Sequence, residues 1–110
     1  MIKVSLMWPN EENSKFDIDY YINTHARMVQ DAVGDALKGY EIEEGVCGRG
    51  HDDPPSYVAI GHMYYESVES YINSFVHHIE KLRSDIPNFT DVLPTLQVSK
   101  VKVSSVPGYE

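Results

Sequence analysis

The stretch Tyr57-Val-Ala-Ile-Gly-His-Met-Tyr-Tyr65 (YVAIGHMYY) decides how this chain folds. It predicts a strand, and successive side chains of a strand point to opposite faces of the sheet. One face then carries Val58, Ile60, His62 and Tyr64, and the other carries Tyr57, Ala59, Met63 and Tyr65. Neither face has the polar side chains of a solvent-exposed surface, so this strand predicts a sheet that is covered on both sides.

Three further strands are predicted on either side of it in the sequence. Residues 2–8 alternate apolar and polar side chains and predict a first strand with one buried face. Residues 39–47 predict a second strand, which a loop over residues 48–55 separates from the third. The last strand begins near Thr95, and a change in the parity of its apolar residues near Ser99-Lys100 predicts a β-bulge there.

Two amphipathic helices complete the pattern. Asp17 is placed to cap the first helix, which is expected to fray near Gly34, and Ser67 is placed to cap the second. Pro87 disfavours helical geometry at Ile86 and ends the second helix there. The apolar stripes are predicted to be Ile18, Tyr21, Ile22, Met28, Val29, Ala32, Val33 and Ala36 in the first helix, and Val68, Tyr71, Ile72, Phe75, Ile79, Leu82 and Ile86 in the second.

The order β-α-β-β-α-β predicts an α+β, ferredoxin-like fold, a four-stranded antiparallel sheet with two helices on one face. Its open face needs a cover, and a second copy of the chain is the simplest one. We therefore expect a homodimer in which the two sheets form a dimeric α+β barrel with a cavity between sheet and loops. The 110 residues make a single domain. Its core is expected over about residues 1–103, followed by a tail over 104–110 in which Pro107-Gly108 ends the ordered chain.

The charge balance excludes several classes of partner. The net charge is −8, with 17 acidic against 9 basic residues, whereas a nucleic-acid-binding module is expected to carry a basic patch or stripe. Nucleic acid and anionic membranes are therefore not expected partners. The single cysteine, Cys47, excludes an internal disulfide and indicates a reducing compartment. With no leader and no segment of transmembrane length, the sequence predicts a cytoplasmic protein.

His25 is the candidate catalytic residue. It interrupts the apolar stripe of the first helix, four residues after Tyr21, so its side chain is expected to point toward the sheet. A half-buried histidine that is hydrogen-bonded to a tyrosine or a backbone carbonyl is one interpretation. The other is a general acid or base, because a partly buried imidazole can be tuned near the working pH.

Four other side chains are candidates for binding a small molecule. His62 lies within the third strand beside Gly61, and a glycine there lets a ligand or another backbone approach closely. Tyr21 and Tyr64 are among several tyrosines that either line an aromatic cavity or belong to the core. Trp8, at the end of the first strand, is expected near the mouth of such a cavity.

Cofactor and metal motifs are absent from the sequence. It contains no Gly-x-Gly-x-x-Gly after a strand, no P-loop, no Gly-x-Ser-x-Gly and no His-Glu-x-x-His. His51, Asp52 and Asp53 share one loop but lack the spacing of a preorganised metal site. We therefore expect no metal site and no tightly bound nucleotide cofactor.

Five stretches together resemble the EthD family, over roughly residues 1–103. They are MIKVSLMWPN, FDIDYYINTH, LKGYEIEEG, YVAIGHMYYES and DIPNFTDVLP. The resemblance implies a dimeric α+β barrel, and members of the family are often described as reductases or oxidoreductases. Related barrels include cofactor-free monooxygenases, lactone isomerases and haem-handling enzymes, and fungal relatives act as decarboxylases or dehydratases on polyketides. Fold analogy alone does not choose among these activities.

The resemblance also assigns residues. His25 matches the histidine of the family's first helix, and Asn88, Phe89, Thr90 and Asp91 match its loop motif. The residues themselves favour a structural plug, in which Phe89 tucks the loop under the sheet and Asn88 and Asp91 form turns. Only the polar side chains of Asn88 and Thr90 would then be left to reach a ligand.

Three hypotheses follow for the function. The first is an oxidoreductase that acts on a small apolar or aromatic oxygenated compound of a catabolic or secondary-metabolite pathway, with electrons from the substrate or from a redox partner protein. The second is a non-catalytic protein that binds and shields a pathway intermediate. The third is haem binding through His25 or His62, with Trp8 and Tyr64 nearby.

Overall fold

Four antiparallel strands form a single sheet in the computed structural model, which describes residues 1–106. The strands are Ile2–Pro9 (β1), Gly39–Glu44 (β2), Tyr57–Tyr65 (β3) and Thr95–Lys100 (β4). Their order across the sheet is β2-β3-β1-β4, and two helical segments join β1 to β2 and β3 to β4. This is the α+β, ferredoxin-like arrangement that the sequence predicted.

The register of the two central strands determines which side chains face the helices. β1 and β3 pair from Ile2 opposite Tyr65 to Trp8 opposite Ala59. Directly opposed residues project to the same face, and the face alternates at each step. The buried members of this pairing form the helix-covered face: Ile2, Val4, Trp8, Ala59, Gly61, Met63 and Tyr65.

The first helix, residues 18–36, changes its geometry along its length. It begins as an α-helix over Ile18–Tyr20, where the Asp17 side chain accepts a hydrogen bond from the Tyr20 N–H as predicted for a cap. A π-helical turn follows over Tyr21–His25, and α-helix resumes over Ala26–Val33. A 3₁₀ turn over Gly34–Ala36 ends it, with Gly34 at a positive φ of 59°.

The second helix, residues 68–88, is also composite. Ser67 caps an α-helix over Val68–Phe75, a 3₁₀ turn spans Val76–His78, and a second α-helix spans Ile79–Asp85. The predicted end at Ile86 was not quite right, because Ile86–Asn88 forms a further 3₁₀ turn that holds Pro87 near its start. Proline is tolerated in a first turn, where its missing N–H has no partner to lose.

Both predicted apolar stripes contain residues that the structure leaves exposed. In the first helix Ile22 is 45% exposed, and it lies within a π turn whose buried residues are Tyr21 and His25. In the second helix Val68, Ile72 and Ile79 are exposed. There the inward side is formed by Tyr71, Phe75, Leu82 and Ile86, which pack on the core or line a cavity beneath the helix.

Two strand predictions are corrected. β2 ends at Glu44 rather than at residue 47, although the Gly45 N–H still donates to the Val58 carbonyl. The β-bulge predicted near Ser99-Lys100 is not present, since β4 pairs regularly with β1 up to Lys100 opposite Ile2. Beyond this pair one backbone bond continues the contact, from the Val101 N–H to the Met1 carbonyl at 3.3 Å. The predicted end of order at Pro107-Gly108 lies outside the described residues.

The core consists of two clusters of buried side chains on the helix-covered face. One contains Trp8, Tyr21, Ala59, Phe89 and Val92, and the other contains Ile2, Val4, Met63 and Tyr65. The first cluster lies under the loop that follows the second helix, and the second lies near the start of β1. No helix within residues 1–106 is long and apolar enough to cross a membrane.

Candidate active site

A cavity of about 540 Å³ lies between the helix-covered face of the sheet and the two helices. Its lining is mostly apolar, with contributions from Leu6, Val29, Met63, Phe75 and Leu82. A volume of this size and an apolar wall with few polar groups are typical of small-molecule sites. The polar lining residues are Tyr21, His25, Gln30, Tyr40, Glu41, His62, Tyr71 and Arg83.

His25 lies on the cavity wall with most of its ring buried. Its side chain is at the end of the π turn, and the residue is 8% exposed. The ring stacks on Tyr21 at a centroid distance of 5.9 Å and packs on Phe89 at 4.9 Å. His25 Nδ1 lies 2.9 Å from Asp85 Oδ2, across 60 residues of sequence. The packing and this bond fix the orientation of the imidazole.

Asp85 is a buried carboxylate with three donors. It accepts hydrogen bonds from the Tyr20 hydroxyl at 2.7 Å, the Asn88 amide at 2.9 Å and His25 Nδ1 at 2.9 Å. Burial raises the pKa of Asp85, but the hydrogen bonds from Asn88, His25 and Tyr20 outweigh it, so the pKa lies below its usual value. Asp85 is therefore ionised at neutral pH, and its hydrogen bond raises the pKa of Tyr20 in turn.

The ionised carboxylate fixes the tautomer of His25. A carboxylate can only accept hydrogen bonds, so the proton shared with it belongs to His25 Nδ1. The neutral ring then carries its lone pair on Nε2, and Nε2 has no hydrogen bond to any of residues 1–106. An imidazole on a cavity wall, held by a carboxylate and with its second nitrogen free of hydrogen bonds, is the arrangement of a general base.

His25 is the last residue of a π turn in the first helix. The Ala26 N–H bonds to the Tyr21 carbonyl, one residue further back than in an α-helix. Tyr21 and His25, four residues apart, are both buried, while the three residues between them are exposed. Single π turns inside α-helices often occur at functional sites. The sequence signal for it is weak, and sequence analysis did not find it.

Tyr21 occupies the cavity wall beside His25. It is 4% exposed, and its ring packs edge-on against Trp8 at 5.6 Å and Phe16 at 5.4 Å. Burial raises the pKa of Tyr21, and the indole N–H of Trp8 lowers it by less. The indole Nε1 itself is buried without a hydrogen bond of acceptable geometry within the described chain. Tyr21 is therefore a neutral phenol at physiological pH.

Apart from Ile86, which lines the cavity, the stretch DIPNFTD supports the site from outside it. Asn88 bonds to Asp85, and the Thr90 hydroxyl donates to the Lys15 carbonyl at 2.7 Å and accepts from the Val92 N–H at 3.2 Å. Phe89 is buried against Trp8 and His25. None of Asn88, Phe89 and Thr90 is among the residues that line the cavity. In this structure the three form a plug, and Asn88 acts on the site through Asp85.

His62 and Tyr64 belong to the other face of the sheet. His62 pairs with Ser5, and its ring bonds to Ser5 Oγ at 2.8 Å and lies 3.3 Å from Glu43 Oε1. The Tyr64 hydroxyl donates to Glu41. His62 is among the cavity-lining residues through its position in β3, whereas its ring lies on the opposite face of the sheet from His25. Of the predicted residues, the structure thus brings together Trp8, Tyr21 and His25, and it places His62 and Tyr64 on the open face.

Sequence analysis missed Asp85 and Tyr20 as parts of this site. Asp85 is the first residue of DIPNFTD and lies in the last turn before a proline, which reads as an ordinary helix end. Tyr20 is adjacent to Tyr21 and differs from it only in the side of the helix on which it lies. Only a contact between the two helices distinguishes these residues from their neighbours. In the part of the chain that is described, no three His, Cys, Asp or Glu side chains are grouped to hold a metal ion.

The lowered pKa of Asp85 predicts acid sensitivity. A carboxyl whose pKa is lower when folded stabilises the protein above its unfolded pKa, and that contribution is lost as pH falls through the folded value. Asp85→Asn should cost about 2 kcal/mol at neutral pH, because hydrogen bonds to a charged group are lost. Urea unfolding from pH 7 to pH 3 should show this difference shrinking with acidity. A difference that is constant with pH would contradict the ionised carboxylate.

Sequence and structure comparisons agree on one family. The sequence profile of the EthD domain matches residues 11–92. The fold is similar to the crystal structure of an EthD-like protein from Ralstonia eutropha JMP134, with 35% identity, a TM-score of 0.91, and coverage of 96% of this chain and 95% of that one. A search of curated proteins gave no match.

Two more distant structures share the fold. An EthD family protein from Bacillus halodurans C-125 aligns with a TM-score of 0.71 at 20% identity, covering 92% of this chain and 98% of that one. HapK from Hahella chejuensis aligns with a TM-score of 0.59 at 9% identity, covering 100% of this chain and 98% of that one. At these identities the likeness concerns the fold alone.

Proposed function

The chain belongs to the EthD family, and from this premise we propose that it is an enzyme that moves a proton on a small, largely apolar oxygenated compound. The substrate occupies the cavity between the sheet and the two helices. His25 is the general base, and Asp85 orients it and stabilises its protonated form. No nucleotide cofactor is needed for this step.

One observation carries the proposal: His25 lines an apolar cavity with Nδ1 bound to an ionised carboxylate, and its Nε2 has no hydrogen bond within residues 1–106. Oriented general bases of this kind contribute typically about 10²- to 10⁴-fold to a rate. The apolar lining strengthens the electrostatic interactions within the site, because charges interact more strongly where water is excluded.

Proton abstraction can be tested without knowing the natural substrate. Aryl ketones such as 1-indanone and 1-tetralone are small, apolar and enolisable. In D₂O, the wild-type protein is expected to speed the exchange of their α-hydrogens for deuterium well above the buffer rate, as measured by mass spectrometry. Bound ketone without accelerated exchange would overturn the proposed activity.

The oxidoreductase hypothesis uses the same base. Removing the proton from a phenol leaves a phenolate, which gives up electrons more readily than the neutral phenol does. The electrons would pass to dioxygen or to a redox partner protein. His25-dependent oxygen uptake with phenols would support this activity, whereas hydrogen exchange without oxygen uptake would limit the protein to proton transfer.

A non-catalytic binding protein is the second candidate, and the apolar cavity favours it. Such a protein needs the pocket but not the base. His25→Gln keeps a hydrogen-bonding side chain, so under this hypothesis the variant retains both ligand affinity and pathway flux. A loss of flux with unchanged affinity would exclude shielding alone.

Haem binding is the remaining alternative. Both ring nitrogens of His62 are engaged, with Ser5 and Glu43, so of the two cavity-lining histidines His25 is the one that keeps a nitrogen free of hydrogen bonds within the described chain. A Soret band that appears on haem titration and is lost in His25→Ala would support ligation. An unchanged haem spectrum would end the hypothesis.

We also propose that the working form is a cytoplasmic homodimer, paired through the open face of the sheet. That face carries Met7, Ile60 and Tyr64 beside polar groups such as Ser5 and Glu43, and no helix of the described chain covers it. Exposed apolar surface of this kind favours association, and pairing with a second copy of the chain would bury it.

Ile60→Asp should convert the dimer into a monomer. The new carboxylate would be buried opposite Glu43, and an unpaired buried charge weakens association by roughly a hundredfold or more. Light scattering with size exclusion measures the mass, and circular dichroism checks the fold. Ile72→Asp, on the exposed side of the second helix, is the matched control and should remain dimeric. A wild-type monomer at high concentration would contradict the pairing.

A further inference from the structure

A glycine in the central strand makes room for the hydroxyl of Tyr21. Gly61 lies on the helix-covered face of β3 and lines the cavity. A Cβ at position 61 would overlap the Tyr21 hydroxyl, while the ring carbon Cζ would lie 3.5 Å away, an ordinary contact. The hydroxyl is thus held directly over the strand backbone. Glycine within a strand often marks such a close approach.

The proton of the Tyr21 hydroxyl has no acceptor in the part of the protein that is described. Its polar neighbour is the indole N–H of Trp8, and an indole nitrogen can only donate. Burial keeps Tyr21 protonated, so the O–H remains a donor. Buried tyrosine hydroxyls usually find a partner. A donor without an acceptor on a cavity wall is therefore suited to an acceptor on the ligand.

The hydroxyl and the proposed base share one wall of the cavity. The Tyr21 and His25 rings stack at 5.9 Å with an interplanar angle of 25°. Phe89 packs against both rings, at 5.2 Å and 4.9 Å, and limits their movement. A hydrogen-bond donor and a general base are thus held side by side.

We infer that Tyr21 is a second catalytic residue, whose hydroxyl donates to the oxygen of an enolisable aryl carbonyl substrate. This inference rests on the proposed function of His25. A donor that is fixed before the reaction stabilises negative charge where it develops, and such groups commonly contribute about 10²- to 10³-fold to a rate. The substrate class follows because only an oxygen that gains charge makes use of both groups.

The step balances without a redox reagent. His25 Nε2 takes the proton from the carbon next to the carbonyl, and the C–H electron pair forms the carbon–carbon double bond. The carbonyl π pair moves to oxygen, and the resulting enolate accepts the Tyr21 hydrogen bond. The protonated His25 then returns a proton to carbon or to oxygen. The net result is hydrogen exchange or tautomerisation.

A phenolate resembles the enolate and is stable, so 4-nitrophenol is the probe. Its visible absorption reports directly whether the bound molecule is ionised. With the wild-type protein, the bound probe should ionise at a lower pH than in solution. His25→Gln should reduce this shift to the part that the Tyr21 hydroxyl supplies, because the variant no longer forms a phenolate–imidazolium pair.

Tyr21→Phe removes the hydroxyl and keeps the ring. The affinity for the phenolate should fall roughly ten- to hundredfold, as expected for a lost hydrogen bond to a charged group. The affinity for 4-nitrotoluene, which has no such oxygen, should be unchanged. Gly61→Ala displaces the hydroxyl without removing it and should weaken phenolate binding similarly. Gly39→Ala is the matched control, because its added Cβ meets only the Tyr64 ring at 3.6 Å.

The outcomes separate this inference from the proposed function. If the probe ionises in a His25-dependent way but Tyr21→Phe binds phenolate as tightly as the wild type, the role of Tyr21 is overturned and the base stands. If His25→Gln leaves ionisation unchanged, the proposed base fails. If 4-nitrophenol does not bind the wild-type protein at all, both are overturned.

Discussion

His25→Gln is expected to lower the rate of aryl ketone hydrogen exchange by roughly 10²- to 10⁴-fold. Glutamine has nearly the reach of histidine and keeps a hydrogen-bond donor for Asp85, but it has no nitrogen that accepts a proton at neutral pH. Ketone affinity should change little, because the cavity walls are mainly apolar. The effect is therefore expected in the rate at saturation and not in the half-saturating concentration.

The matched control is His77→Gln, an exposed histidine on the second helix. It should exchange the ketone at the wild-type rate. Circular dichroism and thermal unfolding of His25→Gln should show a folded protein. A folded variant that keeps the full exchange rate would contradict the role of His25 as the base.

Asp85→Ala is expected to lower the free energy of unfolding by about 3 kcal/mol. Asp85 is 8% exposed, and its removal leaves the donors of His25, Tyr20 and Asn88 without their acceptor. For a domain of this size the loss corresponds to a decrease in Tm of roughly 10–15 °C. Exchange activity should fall as well, because His25 loses the carboxylate that fixes its tautomer.

Asp91→Ala is the control for this change. Asp91 lies in the same loop and is exposed, and it accepts one hydrogen bond from the Lys15 N–H. Its removal should cost about 1 kcal/mol or less. If urea unfolding gave the two variants equal stability, the buried hydrogen-bond network around Asp85 would have no energetic weight, and the account of the site would be wrong.

The fold was predictable from the sequence because its signals are local. Alternation in residues 2–8 and Tyr57–Tyr65 identified both central strands, and Asp17 and Ser67 were recognised as helix caps from residue type and position. The errors fall at the ends of strands and helices, because where an element ends depends on the element that it pairs or packs with. β4 stops at Lys100 because β1 begins at Ile2, which no property of β4 itself reveals.

The site was only partly predictable, because its central contact is long-range. His25 was found as a break in an apolar stripe, and Tyr21 and Trp8 as aromatic residues near it. Asp85 was not, since it meets His25 only when the second helix packs against the π turn of the first. The alternation correctly placed His62 and Tyr64 together on one face of the sheet. It did not indicate which face the helices would cover.

The tautomer of His25 tests the central claim most directly, and it requires no substrate. Two-bond ¹H–¹⁵N spectra of ¹⁵N-labelled protein distinguish a protonated from an unprotonated ring nitrogen. With the ring neutral, the account predicts the proton on Nδ1, bound to Asp85, and a bare Nε2 toward the cavity. Asp85→Asn should weaken this preference. A wild-type ring with its proton on Nε2 would contradict the account, because the nitrogen that faces the cavity would then be a donor and not a base.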